Sequence, residues 1–248
     1  MGLLKKYTGI PLVLRIAIGL ALGIALGGFF PGYYYYHAQR DNRTVTVKGL
    51  SEMNVKANLA LWKIKFKTTG NNLDTLQQKM SKDLQTIQAY LKKQGFTEEE
   101  VIIGRMNTND LMTNPYRDAK AEESRYILDQ TVTVRSEKVD LTESALREIG
   151  ALVSEGIIFD NQDYGSPVSY LFTDINQVKP QMLEQATQNA KQAAEEFAKS
   201  SGSTVGQIKT ANQGVFSILP REQIPGANES EQIDKTIRVV STIVYYLD

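Results

Sequence analysis

The chain has 248 residues, with 28 Lys and Arg against 28 Asp and Glu, one histidine and no cysteine. That balance lacks the basic footprint that nucleic acid requires, so no nucleic-acid partner is expected. Without cysteine there are no disulfides and no thiol chemistry, and a lone histidine cannot build a histidine-based zinc site.

From Ile10 to Phe30 the sequence is almost wholly apolar, with Arg15 its only charge. At helical rise this run spans roughly 30 Å, the thickness of a bilayer's hydrocarbon core. Lys5 and Lys6 precede it, and no acidic residue occurs before Asp41. The positive-inside tendency then keeps residues 1–9 in the cytoplasm and exports the rest of the chain beyond the apolar run. Residues 10–30 read as a single-pass transmembrane anchor in the inner (cytoplasmic) membrane, 31–43 as a juxtamembrane linker, and 44–248 as a periplasmic or extracellular domain. Arg15 lies near enough to the cytoplasmic end to snorkel toward headgroups.

A cleaved signal peptide is the competing reading, and Ala25-Leu26-Gly27 supplies a small-x-small pattern for it. Two features favour retention. The run exceeds the ~7–15 residues of a signal's hydrophobic region. It also leads into Tyr33, Tyr34, Tyr35 and Tyr36, a cluster suited to anchoring at the lipid–water interface. Within the run, Gly19, Gly23 and Gly27 recur every fourth residue on one helical face, the spacing of close membrane-helix packing. Glycine is also common in membrane helices without any such pairing.

In the exported part, Thr44 to Val47 opens a strand pattern. Trp62, Ile64 and Phe66 then alternate with Lys63, Lys65 and Lys67, which describes a strand with one wet face. Leu73, Leu76, Met80, Leu84, Ile87 and Leu91 follow at helical spacing, with Gly95 as the expected C-terminal cap. Val101 to Ile103 predicts a strand, Asn107 to Ser124 an exposed polar hairpin loop, and Tyr126 to Val134 another strand. Leu141 to Val153 predicts one helix, and Ile157–Phe159 and Ser169–Phe172 predict strands about the turn at Asn161 to Pro167. Pro180 suits a first helical turn, opening an Ala-rich helix through Met182, Ala186, Ala190, Ala194, Phe197 and Ala198 that stops near Gly202. Val205 to Leu219 and Lys235 to Leu247 predict two closing strands across a polar loop, 220–234. The last strand is apolar on both faces: Ile237, Val239, Ile243 and Tyr245 on one, Val240, Val244 and Tyr246 on the other. Such a strand must be covered on both sides, so the second face is a candidate oligomer contact. The class is α+β: mixed, mainly antiparallel sheets with amphipathic helices behind one N-terminal transmembrane helix.

Several segments resemble a known family. Val45-Thr46-Val47-Lys48-Gly49-Leu50-Ser51-Glu52 resembles its opening V-x-G-x-G-E, although the second glycine is missing. Tyr126 to Val134, followed by a helix and Ile157–Phe159, resembles its central strand–helix–strand. Ala186 to Ser201 and then Gly202 to Ile208 resemble its A-x-x-A-x-x-x-A…G-x-x-x-G-x-I signature. Ile237 to Leu247 is similar to its terminal V-x-V-x-F strand. Val55 to Asn58 stands where many members carry Pro-Asp. The ordered set, spanning Arg43 to Asp248, resembles the SIMPL-domain family of bacterial envelope proteins. That resemblance implies a periplasmic or surface α+β protein linked to envelope integrity and stress tolerance, with a tendency to oligomerise. It brings no catalytic residue set with it.

The residues themselves offer little chemistry. His37, beside the Tyr cluster, reads as an interfacial polar residue rather than a catalyst. There is no G-x-S-x-G elbow, Walker loop or dinucleotide fingerprint. Glu98-Glu99-Glu100 and Glu122-Glu123 offer oxygen ligands but lack the spacing of a calcium loop, and a solvated face is the expected use. Tyr164, Tyr170 and Phe172 flank a turn and fit core or oligomer packing better than a ligand groove. Asn228-Glu229-Ser230 is a formal glycosylation triplet of low specificity. No catalytic, cofactor or metal site is expected.

The leading expectation is therefore a non-catalytic, membrane-anchored envelope protein that self-assembles into a homo-oligomer, with the lipid bilayer and its own copies as partners. The alternatives are a monomeric binding or chaperone-like module acting through loops 107–124 and 220–234, and a carboxylate-based hydrolase.

Overall fold

The computed structural model describes residues 12–40, 43–113, 124–160, 166–222, 224–226 and 228–248. The helix α1 runs Leu12–Arg40 with Pro31 inside it. It does not stop at Phe30, so the backbone of the expected linker is helical as far as Arg40. Among the described residues, one helix is long and apolar enough to cross a membrane, over Ile16–Tyr35 with mean hydropathy 1.7.

Beyond α1 come β1 (Thr44–Lys56), β2 (Leu59–Gly70), α2 (Leu73–Gln94), β3 (Val101–Ile103), β4 (Asn107–Asp110) and β5 (Tyr126–Ser136). They are followed by α3 (Val139–Glu148), α4 (Gly150–Ser154), β6 (Ile158–Phe159), β7 (Val168–Leu171) and α5 (Ile175–Ser200). The last elements are β8 (Val205–Gln213), β9 (Ser217–Pro220) and β10 (Asp234–Leu247). The α+β class and the antiparallel pairing are as expected. The chain folds into two compact units, one of Met1–Leu50, Gln185–Gly214 and Val240–Asp248, the other of Ser51–Glu184 and Val215–Val239.

The larger unit is built on a six-stranded sheet in the order β3-β5-β2-β6, with β4 also on β5 and β7 also on β2. Its centre is the β2–β5 ladder, where Trp62 faces Val134 and Ile64 faces Val132. The alternation in β2 does what its period requires. Trp62, Ile64 and Phe66 are fully buried, while the intervening lysines take the other face. The buried face meets α2 through Leu76, Met80, Ile87 and Leu91, and Ala145 and Leu152 complete the cluster. Asn72 caps α2 by accepting the Asp74 and Thr75 N–H groups, and Gly95 ends it at φ 101°, a left-handed conformation that glycine adopts without strain.

In the smaller unit β10 lies between β1 and β8. Val47 of β1, Ile243 and Tyr245 of β10, and Ala190 and Ala194 of α5 form its core. Met182, Ala186, Ala190, Ala194 and Ala198, one every fourth residue, are the buried stripe of α5. The small side chains let the helix lie close to the strand. A Cβ placed on Gly49 would stand 1.8 Å from the Ala186 carbonyl oxygen.

Five expectations change. Asn107 to Asp110 is not loop but β4, held by pairing Asn107↔Asp129 through Asp110↔Tyr126; polar side chains suffice there because the strand lies at an exposed edge. The predicted helix 141–153 is two, α3 and α4, with Ile149 between them. Pro180 lies inside α5, which starts at Ile175. Phe197 is exposed rather than on the buried face, being one position off the alanine stripe. The predicted strand Val205–Leu219 is β8 and β9, interrupted at Gly214, whose N–H donates to the Val240 carbonyl.

Candidate functional site

The anchor residues gather on α1. Around Gly19, Gly23 and Gly27 an added Cβ would meet nothing within 4 Å, so these glycines present a bare strip on the helix. Tyr33, Tyr34 and Tyr35 are exposed, and the Tyr33 ring stacks on Phe29 at 6.0 Å, its helical neighbour four residues back. The side chains of Arg15, Tyr36 and His37 lie outside the described residues.

The second face of β10 is half-buried rather than open. Val240, Val244 and Tyr246 all keep partial exposure, and the Lys209 ammonium of β8 sits over the Tyr246 ring at 5.3 Å. The first face is buried along its whole length, from Lys235 through Tyr245.

The Glu98–Glu100 triplet is a short 3-10 turn with structural work to do. Glu100 accepts from the Thr97 N–H at 2.8 Å, the Ser136 hydroxyl at 2.6 Å and the Lys138 ammonium at 3.1 Å. Burial pushes its carboxyl up. The Ser136, Thr97 and Lys138 donors outweigh that and hold it at about 2. This carboxylate ties β5 to the end of α2. Among the described residues no group of three or more His, Cys, Asp or Glu could hold a metal ion. Glu122 and Glu123 fall outside the described residues.

Of the three aromatics, Tyr164 lies outside the described residues and Phe172 is half-buried. Tyr170 is a core residue whose hydroxyl donates to the Glu143 carboxylate. Desolvation, and then the Glu143 carboxylate, push its phenol well above the ordinary value. Asn228 donates to Glu231 at 3.0 Å and opens the turn Glu229–Glu231.

Two features leave only a faint trace in the sequence. Lys235 is fully buried, with its ammonium on the Glu229 carbonyl at 2.7 Å and on the Glu229 carboxylate. Its position in phase with Ile237 and Val239 is the available signal. The second is an open groove of about 380 Å³ between α2 and β3, whose walls include Ala89, Lys92, Phe96, Val101 and Ile103. Ile102, on the opposite face of β3 from Val101 and Ile103, and Met106 are further exposed apolar residues.

These elements define a class first: an α+β protein that carries an apolar helix long enough to span a bilayer. The sequence model of one family, SIMPL, described as a protein of unknown function (DUF541), matches residues 45–245. The chain belongs to the SIMPL family. Its opening glycine has a clear physical role here, since Gly49 is where α5 touches β1. SIMPL is a domain of unknown function rather than a known enzyme family. No curated protein matches the chain.

Proposed function

We propose that this is a non-catalytic, membrane-anchored envelope protein whose SIMPL domain is held outside the cytoplasmic membrane and assembles with further copies of itself. The observation that carries the reading is the apolar segment Ile16–Tyr35 placed ahead of a domain that begins at residue 45. Lys5 and Lys6 favour an N-terminus in the cytoplasm, and Tyr33 to Tyr36 suit the outer interface. The strip Gly19, Gly23 and Gly27 supports close helix approach in the membrane. Val240, Val244 and Tyr246 offer further partly exposed apolar surface to a neighbour. Support of envelope integrity or stress tolerance follows from the family resemblance.

Native mass spectrometry of the membrane-extracted protein tests the reading. An intact N-terminus and a discrete oligomer are expected; a strictly monomeric full-length chain in mild detergent refutes assembly. A mature chain starting after Gly27 refutes the anchor. The groove between α2 and β3 favours a second reading, a monomeric module that holds extended apolar segments, for which binding without self-association is the signature.

A further inference from the structure

Alternate residues of β2 and β5, Trp62 to Phe66 and Leu128 to Val134, are buried against the helices of the larger unit, and the residues between them are not. Directly opposed residues of antiparallel strands share a face, so the ladder registers map the second face of this sheet. Lys63, Lys65 and Lys67 of β2 stand beside Thr133, Thr131 and Asp129 of β5, and Arg135 stands beside Leu61. Ile102 of β3 adjoins Thr133 on one side, and Ile158 of β6 adjoins Lys67 on the other. At ~3.3 Å per residue and ~4.8 Å per strand, the lysine row is about 13 Å long and the two isoleucines stand about 14 Å apart across the strands. Ile102 is 53% and Ile158 51% exposed, and Lys63 and Arg135 are exposed as well. Lys65 and Lys67 both hold Asp160 at 3.2 Å, and Asp129 accepts from Asn107 at 3.1 Å. Among the described residues nothing pairs with the Lys63 ammonium or the Arg135 guanidinium. The face is therefore basic at its centre, where its carboxylates are already engaged, and apolar at both edges.

We propose that this face docks on the anionic headgroups of the bilayer that α1 enters. The proposal rests on the anchor reading above and names the surface of the larger unit that meets the membrane. Charge selects the partner: the unpaired Lys63 and Arg135 call for an anion, and a second copy of the same face would bring two basic surfaces together. The flanking Ile102 and Ile158 select a lipid surface over a soluble polyanion, which would satisfy the cations and leave both isoleucines in water. Surface binding of this kind draws on apolar burial and on attraction to anionic lipid together. The tether supplies proximity. The apolar span ends at Tyr35, the α1 helix carries the chain about 8 Å further to Arg40, and β1 opens at Thr44. The bilayer surface is thus an anion held at high effective concentration. Each basic residue near such a surface strengthens the attraction roughly 5-fold, so a contact too weak for a free domain suffices for a tethered one.

The chain has no cysteine, so one introduced thiol carries a label. Ile102→Cys is made in the full-length chain, coupled to a fluorophore and reconstituted with lipid that bears a nitroxide quencher on its headgroup. The vesicles are phosphatidylcholine alone, or equal parts phosphatidylcholine and phosphatidylglycerol. Val153→Cys is the control: the native valine is 57% exposed on α4, whose Leu152 packs on the buried face of the sheet. The expected result is quenching at position 102 at least ~3-fold greater with phosphatidylglycerol than without, lost at high salt, and no such difference at position 153. Lys63→Glu with Arg135→Glu should abolish the phosphatidylglycerol effect, whereas Lys63→Arg with Arg135→Lys should keep it. Alkaline extraction, which strips peripheral proteins and spares spanning helices, reads the anchor separately. An anchored chain whose label at 102 ignores phosphatidylglycerol, or quenches no more than the label at 153, overturns the proposal and leaves the anchor standing. A chain released by alkali overturns the anchor and the tethered docking with it. A label at 102 shielded from a water-soluble quencher yet untouched by the lipid quencher is covered by protein, and overturns the proposal in favour of a protein partner.

Discussion

Replacing Gly49 by alanine asks whether α5 is seated directly on β1. The new Cβ would lie 1.8 Å from the Ala186 carbonyl oxygen and 2.7 Å from the Ala190 nitrogen. Both are helix backbone atoms, so no side-chain rotation relieves the overlap. Carbon and oxygen rest near ~3.5 Å, so strand and helix must part by roughly 1.5 Å. A gap of that width forfeits much of the dispersion contact along Ala186, Ala190 and Ala194, which is why these positions are small. The expected loss is about 3 kcal/mol, at the top of the overpacking range. Gly70 is the control, because there an added Cβ meets only the Leu76 side chain, its Cδ2 at 3.1 Å, the end of a flexible group. Gly70→Ala should stay within about 0.5 kcal/mol of the native chain. Urea unfolding in mild detergent, followed by far-UV circular dichroism, gives both values. Hydrogen exchange should place the Gly49→Ala loosening in β1 and α5. Emission of the sole tryptophan, the buried Trp62, reports the larger unit in the same titration. Equal midpoints for the two variants would refute the close-approach argument.

Three further outcomes follow from the local geometry. Glu100 is held at about 2 against an ordinary 4.5, so its contribution is complete above the unfolded value and fades as pH falls from about 4.5 toward 2. Glu100→Gln should flatten the stability profile in that window and cost about 2 kcal/mol at neutral pH, as acid titration of the folded fraction would read. Lys235→Ala leaves Glu229 without its buried cation and should cost about 2–3 kcal/mol, whereas Lys235→Met combined with Glu229→Gln, which removes both charges and keeps the volume, should cost under ~1 kcal/mol. Thermal melts rank the pair, and limited proteolysis at Arg221 should sharpen for the alanine variant alone. Asn72→Ala removes the acceptor of two α2 N–H groups and should cost about 1 kcal/mol, with faster exchange confined to the first turn of α2; Asn72→Asp should retain most of the native stability.

The candidate surfaces are legible in the sequence to different degrees. The anchor segment is plain because a bilayer imposes one length and one composition on any helix that crosses it. The Glu98–Glu100 triplet is legible as acidic but not as structural, since its partners Ser136 and Lys138 lie far along the chain. The edge at β3 leaves no local sign. Val101 to Ile103 reads as a strand, yet nothing nearby distinguishes a strand with two neighbours from one with a single neighbour. The same holds for β4, where four polar residues are a strand only because β5 offers them a ladder.

The sequence by itself determined the elements whose signal is a period or a cap: the alternation of β2, the helical spacing of α2 with its stop at Gly95, and the alanine stripe of α5. These are fixed within a few residues, by the side-chain directions that a strand or helix allows. The tertiary structure alone decided that Gly49 must have no side chain, that Lys235 closes on Glu229, that Gly214 divides β8 from β9, and that β3 lies at an edge. Each of these depends on a group brought close by folding, six residues away for Lys235 and Glu229 and far along the chain for the others, and such pairwise contact leaves no periodic trace in the chain.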